Sequence, residues 1–350
     1  MNVDHDASAA LRAQVEQALA EGTPLRIQGS GSKAMLGEAV PGQVLDTREH
    51  RGIVSYDPTE LVLTARAGTP LAEVEAVLAA AGQRLPFEPP HLGEGATVGG
   101  MVAAGLSGPR RPWAGSVRDH VLGTRMISGH GTLLRFGGEV MKNVAGYDLS
   151  RLLTGSFGCL GVLTEVSLKV LPAPRACRSL RLPLGRAEAL AQLTAWGQQP
   201  LPISAACHDG QALYLRLEGG EGSVASAADR LGGEPLEDGY WADLREQRLS
   251  FFASPATLWR LALPSGSGEL DLPGQQLIDW GGGQRWLTSD AAAEDIRQAV
   301  TRLGGHATRY RQGPAGFHLL PEPLRRYHRS LKQQLDPQGI FNPGRLYAEW

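Results

Sequence analysis

Segment 154–172, which reads TGSFGCLGVLTEVSLKVLP, constrains the fold more than any other part of the sequence. Positions 162, 164, 166, 168 and 170 fall on one face of an extended chain, and the polar positions 165, 167 and 169 fall on the other. This alternation predicts a β-strand that contacts a core through one face. Three glycines directly precede the strand, so the sequence predicts a tight loop that leads into a sheet.

Earlier segments predict helices and strands in an α+β order. Apolar residues at positions 11, 15 and 19 predict an amphipathic helix that ends near Gly22. The runs PLRIQ and ELVLTARAG are typical of short strands. Between Thr69, as the predicted N-cap, and Gly82, the segment predicts a second helix with Pro70 at its first position. Residues 86–123 show little regular pattern, which is typical of a functional segment.

The proline-marked stretch PAPR at 172–175 predicts a domain boundary. Residues 1–172 form the first predicted domain. Residues 176–320 follow the order β-α-β-β-α with a further helix and strand, which indicates a smaller, ferredoxin-like antiparallel α+β domain. Residues 321–350 begin with a basic helix and form a C-terminal segment.

Composition excludes several classes of protein. A net charge of −2 with scattered Lys and Arg argues against nucleic-acid binding. Cys159, Cys177 and Cys207 form no CxxC pair, so neither a zinc site nor a disulfide framework is predicted. The N-terminus lacks a signal-peptide core and no apolar run would span a bilayer. We therefore expect a cytoplasmic protein with reduced thiols and no metal site.

The loop in PLRIQGSGSK, residues 24–33, combines glycines with hydroxyl residues and a lysine. Its spacing fits neither a Walker A loop nor the Rossmann fingerprint, because no third glycine stands at position 34 and Pro41 leaves no room for a following helix. A phosphate bound there would therefore contact the N–H groups of the loop itself. A plain tight turn is the alternative.

Two further glycine clusters change this interpretation. Residues 96–100 and 154–162 also combine glycines with hydroxyl groups, and Thr97 adds a possible donor. Three such loops in one domain suggest a long ligand with a pyrophosphate, an adenine and a flat ring system. Three unrelated turns in a glycine-rich chain remain the alternative.

Five segments together resemble the flavoproteins of the vanillyl-alcohol oxidase and p-cresol methylhydroxylase type, the PCMH/VAO family. They are RIQGSGSKAMLG, ATVGGMVAAGLSG, GSVRDHVLG, MKNVAGYDLSRLLTGSFGCLGVLTEVSLKVLPAP and LDPQGIFNPGRL. The resemblance implies an FAD-binding domain of two α+β subdomains, covering residues 1–172, and a return of the C-terminal segment to that domain. Residues 176–320 would then be the cap domain.

The resemblance implies non-covalent FAD, because Ser32 and Lys33 stand where some relatives attach FAD to a histidine. It places the pyrophosphate at the first loop and Asn342 near the flavin ring. The cofactor-binding residues that it implies are Gly29, Ser30, Gly31, Ser32, Lys33, Thr97, Val98, Gly99, Gly100, Ser107, Gly108, Gly155, Gly158, Gly161, Val162 and Asn342. Lys142, Asn143, Tyr147 and Asp148 would order the flavin edge or a partner surface, or simply form a turn.

Within the family, the segment VMKNVAGYDLSRLLTGSFG is most similar to FAD-binding subunits of bacterial glycolate-oxidising complexes. This implies oxidation of glycolate or another D-2-hydroxy acid, with a second FAD-containing catalytic subunit and an iron–sulfur subunit as partners. The histidine cluster HxGDGNxH of the catalytic relatives is absent, and His306 and His318 are isolated in the sequence. No catalytic residue is therefore assigned. A self-sufficient FAD-dependent 2-hydroxy-acid dehydrogenase and a cofactor-free scaffold are the alternatives.

Overall fold

The computed structural model of the chain describes residues 4–139, 148–237, 239–310 and 316–350. Its α-helices are α1 (Ser8–Glu21), α2 (Leu71–Ala80), α3 (Val98–Ala104), α4 (Arg111–Ala114), α5 (Val117–His120), α6 (Leu149–Leu152), α7 (Arg186–Trp196), α8 (Glu221–Leu231), α9 (Tyr240–Arg245), α10 (Ala293–Arg302) and α11 (Glu322–Leu335).

The first nine β-strands precede residue 173. They are β1 (Leu25–Gln28), β2 (Gln43–Asp46), β3 (Ile53–Asp57), β4 (Val62–Arg66), β5 (Gln83–Arg84), β6 (Val121–Ile127), β7 (Leu133–Gly137), β8 (Val162–Lys169) and β9 (Leu171–Pro172). The later strands are β10 (Ala176–Leu182), β11 (Ile203–His208), β12 (Leu213–Gly219), β13 (Glu234–Pro235), β14 (Leu258–Ala262), β15 (Gln275–Asp279), β16 (Gln284–Thr288) and β17 (His306–Arg309).

The chain divides into two compact units. The first comprises Met1–Leu106, Ser116–Ala173 and Leu319–Trp350. The second comprises Ser107–Gly115 and Pro174–His318. The first unit thus takes in most of the range 1–172 together with the C-terminal segment, while residues 107–115 belong to the second.

A five-stranded antiparallel sheet organises the first unit, in the order β3-β4-β8-β6-β7. The strand predicted from residues 162–170 is confirmed as β8, and it lies at the centre of this sheet. Its side chains join those of β4, α2 and α3 in one apolar core. The predicted alternation therefore identified a central strand.

A smaller parallel pair, β1 and β2, carries the first glycine loop. Helix α1, which the sequence predicted, packs on this pair through Leu11 and Val15 and ends at Gly22 in the left-handed conformation. The C-terminal segment reaches the same pair, because Leu25 forms a parallel bridge with Phe341. The two ends of the chain therefore meet at β1.

Two local predictions for the chain before residue 173 were wrong. The N-cap of α2 is Pro70 and not Thr69, whose hydroxyl instead donates to the Gly52 carbonyl at 3.0 Å. Residues 86–123 include α3, α4 and α5 and so contain more regular structure than their pattern suggested. These helices are short, 7, 4 and 4 residues long, so they lack the repeated apolar spacing that reveals a helix in a sequence.

An eight-stranded antiparallel sheet forms the second unit, in the order β13-β10-β12-β11-β15-β16-β14-β17. The predicted order β-α-β-β-α is confirmed by β10, α7, β11, β12 and α8. Strands β14, β15 and β16 were not predicted, and they extend the sheet beyond the ferredoxin-like half. None of the helices in the described ranges combines the length and the apolar character that crossing a bilayer requires.

Candidate cofactor site

A cavity of about 310 Å³ lies in the first unit, at the loop that follows β1. Its size falls in the range of small-molecule sites. It brings together three separate parts of the chain: the loop after β1, the start of α3 and the loop before β8, with two residues of the C-terminal segment. The residues that line it are Arg26, Ile27, Gln28, Gly29, Ser30, Gly31, Ser32, Lys33, Ala34, Ala39, Val40, Thr47, Ala67, Thr97, Gly99, Gly100, Ala103, Ala104, Phe157, Gly158, Gly161, Leu163, Asn342 and Arg345.

The loop after β1 presents backbone donors at this cavity. The N–H groups of Gly29, Ser30 and Gly31 make no hydrogen bond to any described residue. Gly31 has φ +76, and a Cβ atom there would meet nothing within 4 Å, so the backbone is open to a ligand. Consecutive free N–H groups in a turn form a concave anion site. The loop can therefore bind a phosphate without a helix behind it.

The charge of the cavity favours the same ligand. Arg26, Lys33 and Arg345 line it, and no Asp or Glu is among the described lining residues. The Lys33 ammonium group is buried and donates to the His91 carbonyl at 3.0 Å and to the Ser32 hydroxyl at 3.2 Å. Three cations without a carboxylate suit a pyrophosphate, while the apolar part of the lining suits flat rings. The residues present therefore fit FAD.

The start of α3 forms the second wall of the cavity, facing the loop after β1. The sequence predicted that Thr97, Gly99 and Gly100 of this wall contact the ligand. Thr97 caps this helix, since its hydroxyl accepts a hydrogen bond from the Gly100 N–H at 3.2 Å. The Gly99 N–H donates to the Ala67 carbonyl at 2.7 Å. These two N–H groups are used within the protein, and the Thr97 O–H remains a donor that a ligand could use.

Close packing explains two glycines of these walls. A Cβ atom on Gly29 would lie 2.3 Å from the Thr97 hydroxyl oxygen, and one on Gly99 would lie 2.7 Å from the Ala67 Cβ atom. Such distances are far below van der Waals contact, so a side chain at either position would push its neighbour away. Gly29 therefore lets the loop after β1 lie directly against the cap of α3, and Gly99 lets α3 pack against Ala67, which follows β4.

Asn342 joins the loop before β8, which is the third wall of the cavity, to the first wall, which is β1 with the loop that follows it. Its side-chain oxygen accepts from the Ile27 N–H at 2.8 Å, and its side-chain nitrogen donates to the Phe157 carbonyl at 2.6 Å. The residue is buried and has φ 41. Asn tolerates this left-handed conformation better than most residues. Its amide thus holds β1 against the loop before β8, from a position more than 180 residues away in sequence.

The structure brings most of the predicted site residues together, but five do not line the cavity. Val98 is fully buried in the core of the sheet, and Val162 is buried in β8, paired with Ile127. Gly155 does not line the cavity, and Ser107 and Gly108 belong to the second unit. Lys142, Asn143 and Tyr147 lie outside the described residues, and Asp148 caps α6.

Several lining residues were missed by sequence reasoning. Phe157, Ala103 and Leu163 are apolar residues in or beside predicted segments, with nothing in their type to mark a site. Arg345 stands three residues after Asn342 in FNPGR, so its position beside a predicted residue was the available signal. The contacts of Arg345 could not be predicted, because they depend on where the C-terminal segment packs in the folded chain.

The isolated histidines and the three cysteines are not among the described residues that line this cavity. His306 and His318 are neighbours in the second unit, with ring centroids 6.4 Å apart, and burial lowers the pKa of both. Cys159 is buried, and burial raises its pKa to about 11, which fits the predicted packing role. Among the described residues, no group of three His, Cys, Asp or Glu side chains could hold a metal ion.

Comparison with known proteins identifies relatives of the whole chain and of its first part. The chain is 63% identical over 344 residues to the glycolate oxidase subunit GlcE of Escherichia coli (strain K12), and the match covers 98% of both chains. A family profile described as "FAD binding domain" matches residues 6–137.

More distant matches involve part of the chain or the fold alone. The chain is 32% identical over 160 residues to the glycolate oxidase subunit GlcD of Bacillus subtilis (strain 168), covering 45% of this chain and 34% of that protein. It is 36% identical over 164 residues to a D-lactate dehydrogenase of Archaeoglobus fulgidus, covering 46% and 36%. It thus spans about a third of these two relatives. An alkyldihydroxyacetonephosphate synthase shares the fold, with a TM-score of 0.67 at 18% identity over 97% of this chain and 74% of that one.

Proposed function

Because the chain belongs to the GlcE family of glycolate oxidase subunits, we propose that it is the FAD-binding subunit of a complex that oxidises glycolate or related D-2-hydroxy acids to 2-oxo acids. The observation that carries this proposal is an identity of 63% that extends over 98% of both chains. The protein is an FAD-dependent oxidoreductase acting on CH–OH groups, and its fold is the α+β fold of FAD-binding flavoproteins.

We assign the FAD site to the cavity of the first unit. The free N–H groups of residues 29–31 and the Lys33 ammonium group bind the pyrophosphate. Thr97 donates from the second wall, while Gly158, Gly161 and Asn342 supply the third. Bound FAD supplies the hydride acceptor and the route by which electrons leave one at a time. The chain contributes binding, orientation and charge.

FAD binds non-covalently in this proposal. No His, Cys or Tyr is among the described residues that line the cavity, so none of the side chains that commonly bond a flavin is placed there. Ser32 and Lys33 line the cavity, and the family resemblance puts the histidine that some relatives bond to FAD at this part of the loop. FAD should therefore leave the protein completely when it is precipitated with acid.

The partners in this proposal are a second FAD-containing catalytic subunit and an iron–sulfur subunit that takes up the electrons. The GlcE relative is itself named as a subunit of glycolate oxidase, which supports assembly into a complex. We place the protein in the cytoplasm, where it contacts the inner face of the membrane only through its partners.

The visible spectrum of the purified chain tests this proposal. We expect flavin absorbance that is released by acid, and anaerobic bleaching by glycolate or D-lactate in the assembled complex. Bleaching of the isolated chain by substrate would instead support a self-sufficient dehydrogenase. A chain that shows no flavin absorbance after incubation with FAD would support a cofactor-free scaffold and would contradict the proposal.

A further inference from the structure

The loop after β1 is held from outside by one side chain of the C-terminal segment. The Arg345 Nη1 atom donates to the Glu38 carbonyl at 2.8 Å, and its Nη2 atom donates to the carbonyls of Lys33 and Ala34, each at 3.3 Å. In return, the Glu38 N–H donates to the backbone carbonyl of Arg345 at 3.0 Å. Four hydrogen bonds thus join one residue to a six-residue stretch of the loop.

These contacts supply hydrogen-bond donors to loop carbonyls that have no partner in a helix or strand. Residues 29–38 contain no helix or strand, so their carbonyls lack the partners that regular structure provides. Two backbone bonds within the loop, Ala34 N–H to Gly31 and Leu36 N–H to Lys33, close single turns. Neither bond reaches the carbonyls of Ala34 and Glu38. A guanidinium group has five donors in a fixed plane, so it can serve several carbonyls at once.

Arg345 has no competing partner in the described residues. Within the described ranges it forms no ion pair with a carboxylate, and its side-chain hydrogen bonds go to the carbonyls of residues 33, 34 and 38. The guanidinium is half-buried, so its donors would be costly to leave unpaired. The hydrogen-bond donors of Arg345 are therefore engaged by the loop, while its positive charge still lines the cavity.

The segment that carries Arg345 is itself fixed to the cavity wall. The Arg345 N–H donates to the Asn342 carbonyl at 3.1 Å, and the Asn342 N–H donates to the Leu25 carbonyl at 3.0 Å. A rigid backbone anchor on β1 is thus only three residues from the guanidinium. A side chain supported in this way can define where the loop lies.

We propose that Arg345 is a positioning residue for cofactor binding, which holds the carbonyls of residues 33–38 so that the N–H groups of residues 29–31 stay directed at the pyrophosphate site. This inference rests on the proposed function of the cavity. It assigns to Arg345 a role that depends on the planar, multiple-donor shape of its side chain, and not on its positive charge alone.

The test compares Arg345→Lys with Arg345→Gln. Lys keeps the charge of Arg345 but loses its planar set of donors, and Gln loses both. Because each variant loses hydrogen bonds from a charged donor, we expect both to weaken FAD binding at least about tenfold. FAD dissociation constants are measured by fluorescence on protein freed of cofactor. Arg329→Gln is the matched control, because Arg329 is an exposed arginine nearby in the chain that pairs with Glu349 and contacts no loop carbonyl.

Hydrogen exchange supplies a local measurement that also works if FAD binding is weak. In Arg345→Lys, amides of residues 31–38 should exchange faster, while amides of β8 keep the wild-type rate. Full FAD affinity in Arg345→Lys with a loss only in Arg345→Gln would overturn the inference, because charge alone would then suffice. Wild-type affinity and exchange in both variants would also overturn it. Absence of FAD binding in the wild type would instead contradict the proposed function.

Discussion

The Lys332 Nζ atom lies 2.6 Å from the Oδ2 atom of Asp336 inside the first unit, and both side chains are almost completely buried. The same nitrogen donates to the carbonyls of Cys159 and Phe341, each at 2.8 Å. Asp336 accepts from the N–H groups of Ile340 and Phe341. All three ammonium protons are used, so this pair joins α11 both to the loop before β8 and to the segment that carries Asn342.

Replacing Lys332 with Met should destabilise the protein by about 3 kcal/mol or more, because it leaves the Asp336 carboxylate buried without its cation. Urea denaturation at neutral pH measures the free energy of unfolding. The matched control is Arg48→Met, which breaks an equally short pair with Asp46 at the surface, 2.6 Å long. That change should cost much less, because solvent screens an exposed ion pair and leaves it little net effect on stability. Equal losses in the two variants would show that the buried pair has no special role.

Gly158→Ala should reduce FAD affinity, and Gly155→Ala should not. Both glycines have left-handed backbones, φ +73 and φ +80, so both substitutions carry a similar backbone strain of about 1 kcal/mol. Only at Gly158 would the new Cβ atom meet a neighbour, the Asn342 side-chain nitrogen at 2.7 Å. Movement of that amide loosens the contact that it makes between β1 and the loop before β8. FAD titration of both variants checks this, and equal affinities would contradict it.

Native protein should have one reactive thiol per chain. Cys177 is exposed, whereas Cys159 and Cys207 are buried. Burial raises the pKa of Cys159 to about 11 and raises that of Cys207 well above its usual value. The thiolate is the nucleophile, so neither buried cysteine should react near pH 8, whereas exposed Cys177 should. Titration with a disulfide reagent should find one thiol natively and three in denaturant, and Cys177→Ser should abolish the native reaction.

Acid should destabilise the fold partly through His50. Burial, and then the charge of Arg66, lower the pKa of His50 below its usual 6.5. Around pH 6 the unfolded chain therefore binds a proton there that the folded protein does not, so stability falls as the pH drops through this window. His50→Asn keeps an acceptor for the Ala7 N–H, which now donates to the imidazole at 3.0 Å.

Urea denaturation at about pH 7.5 and about pH 5.5 measures this effect. The Asn variant should lose less stability between the two than the wild type. Some dependence should remain, because burial also lowers the pKa of His306, His318 and His328. Identical losses in the variant and the wild type would contradict a role for His50.

Local patterns in the sequence were enough to predict the elements with strong periodicity. The alternation in residues 162–170 gave β8, and the four-residue spacing near the N-terminus gave α1. Short elements escaped prediction, since α3 has only seven residues and its clearest marker is the cap at Thr97. The Thr69 cap failed because a tertiary partner, Gly52, takes the hydroxyl.

For the candidate site, the sequence by itself determined the glycine loops, and the family resemblance added Asn342. Glycine positions are visible in a sequence because glycine adopts a left-handed backbone most readily and alone permits contacts that a Cβ atom would block. Only the tertiary structure decided that Gly29 packs against Thr97, that Val98 belongs to the core, and that Arg345 serves the loop. The first and last of these relationships join residues 68 and more than 300 positions apart, and no local pattern predicts such contacts.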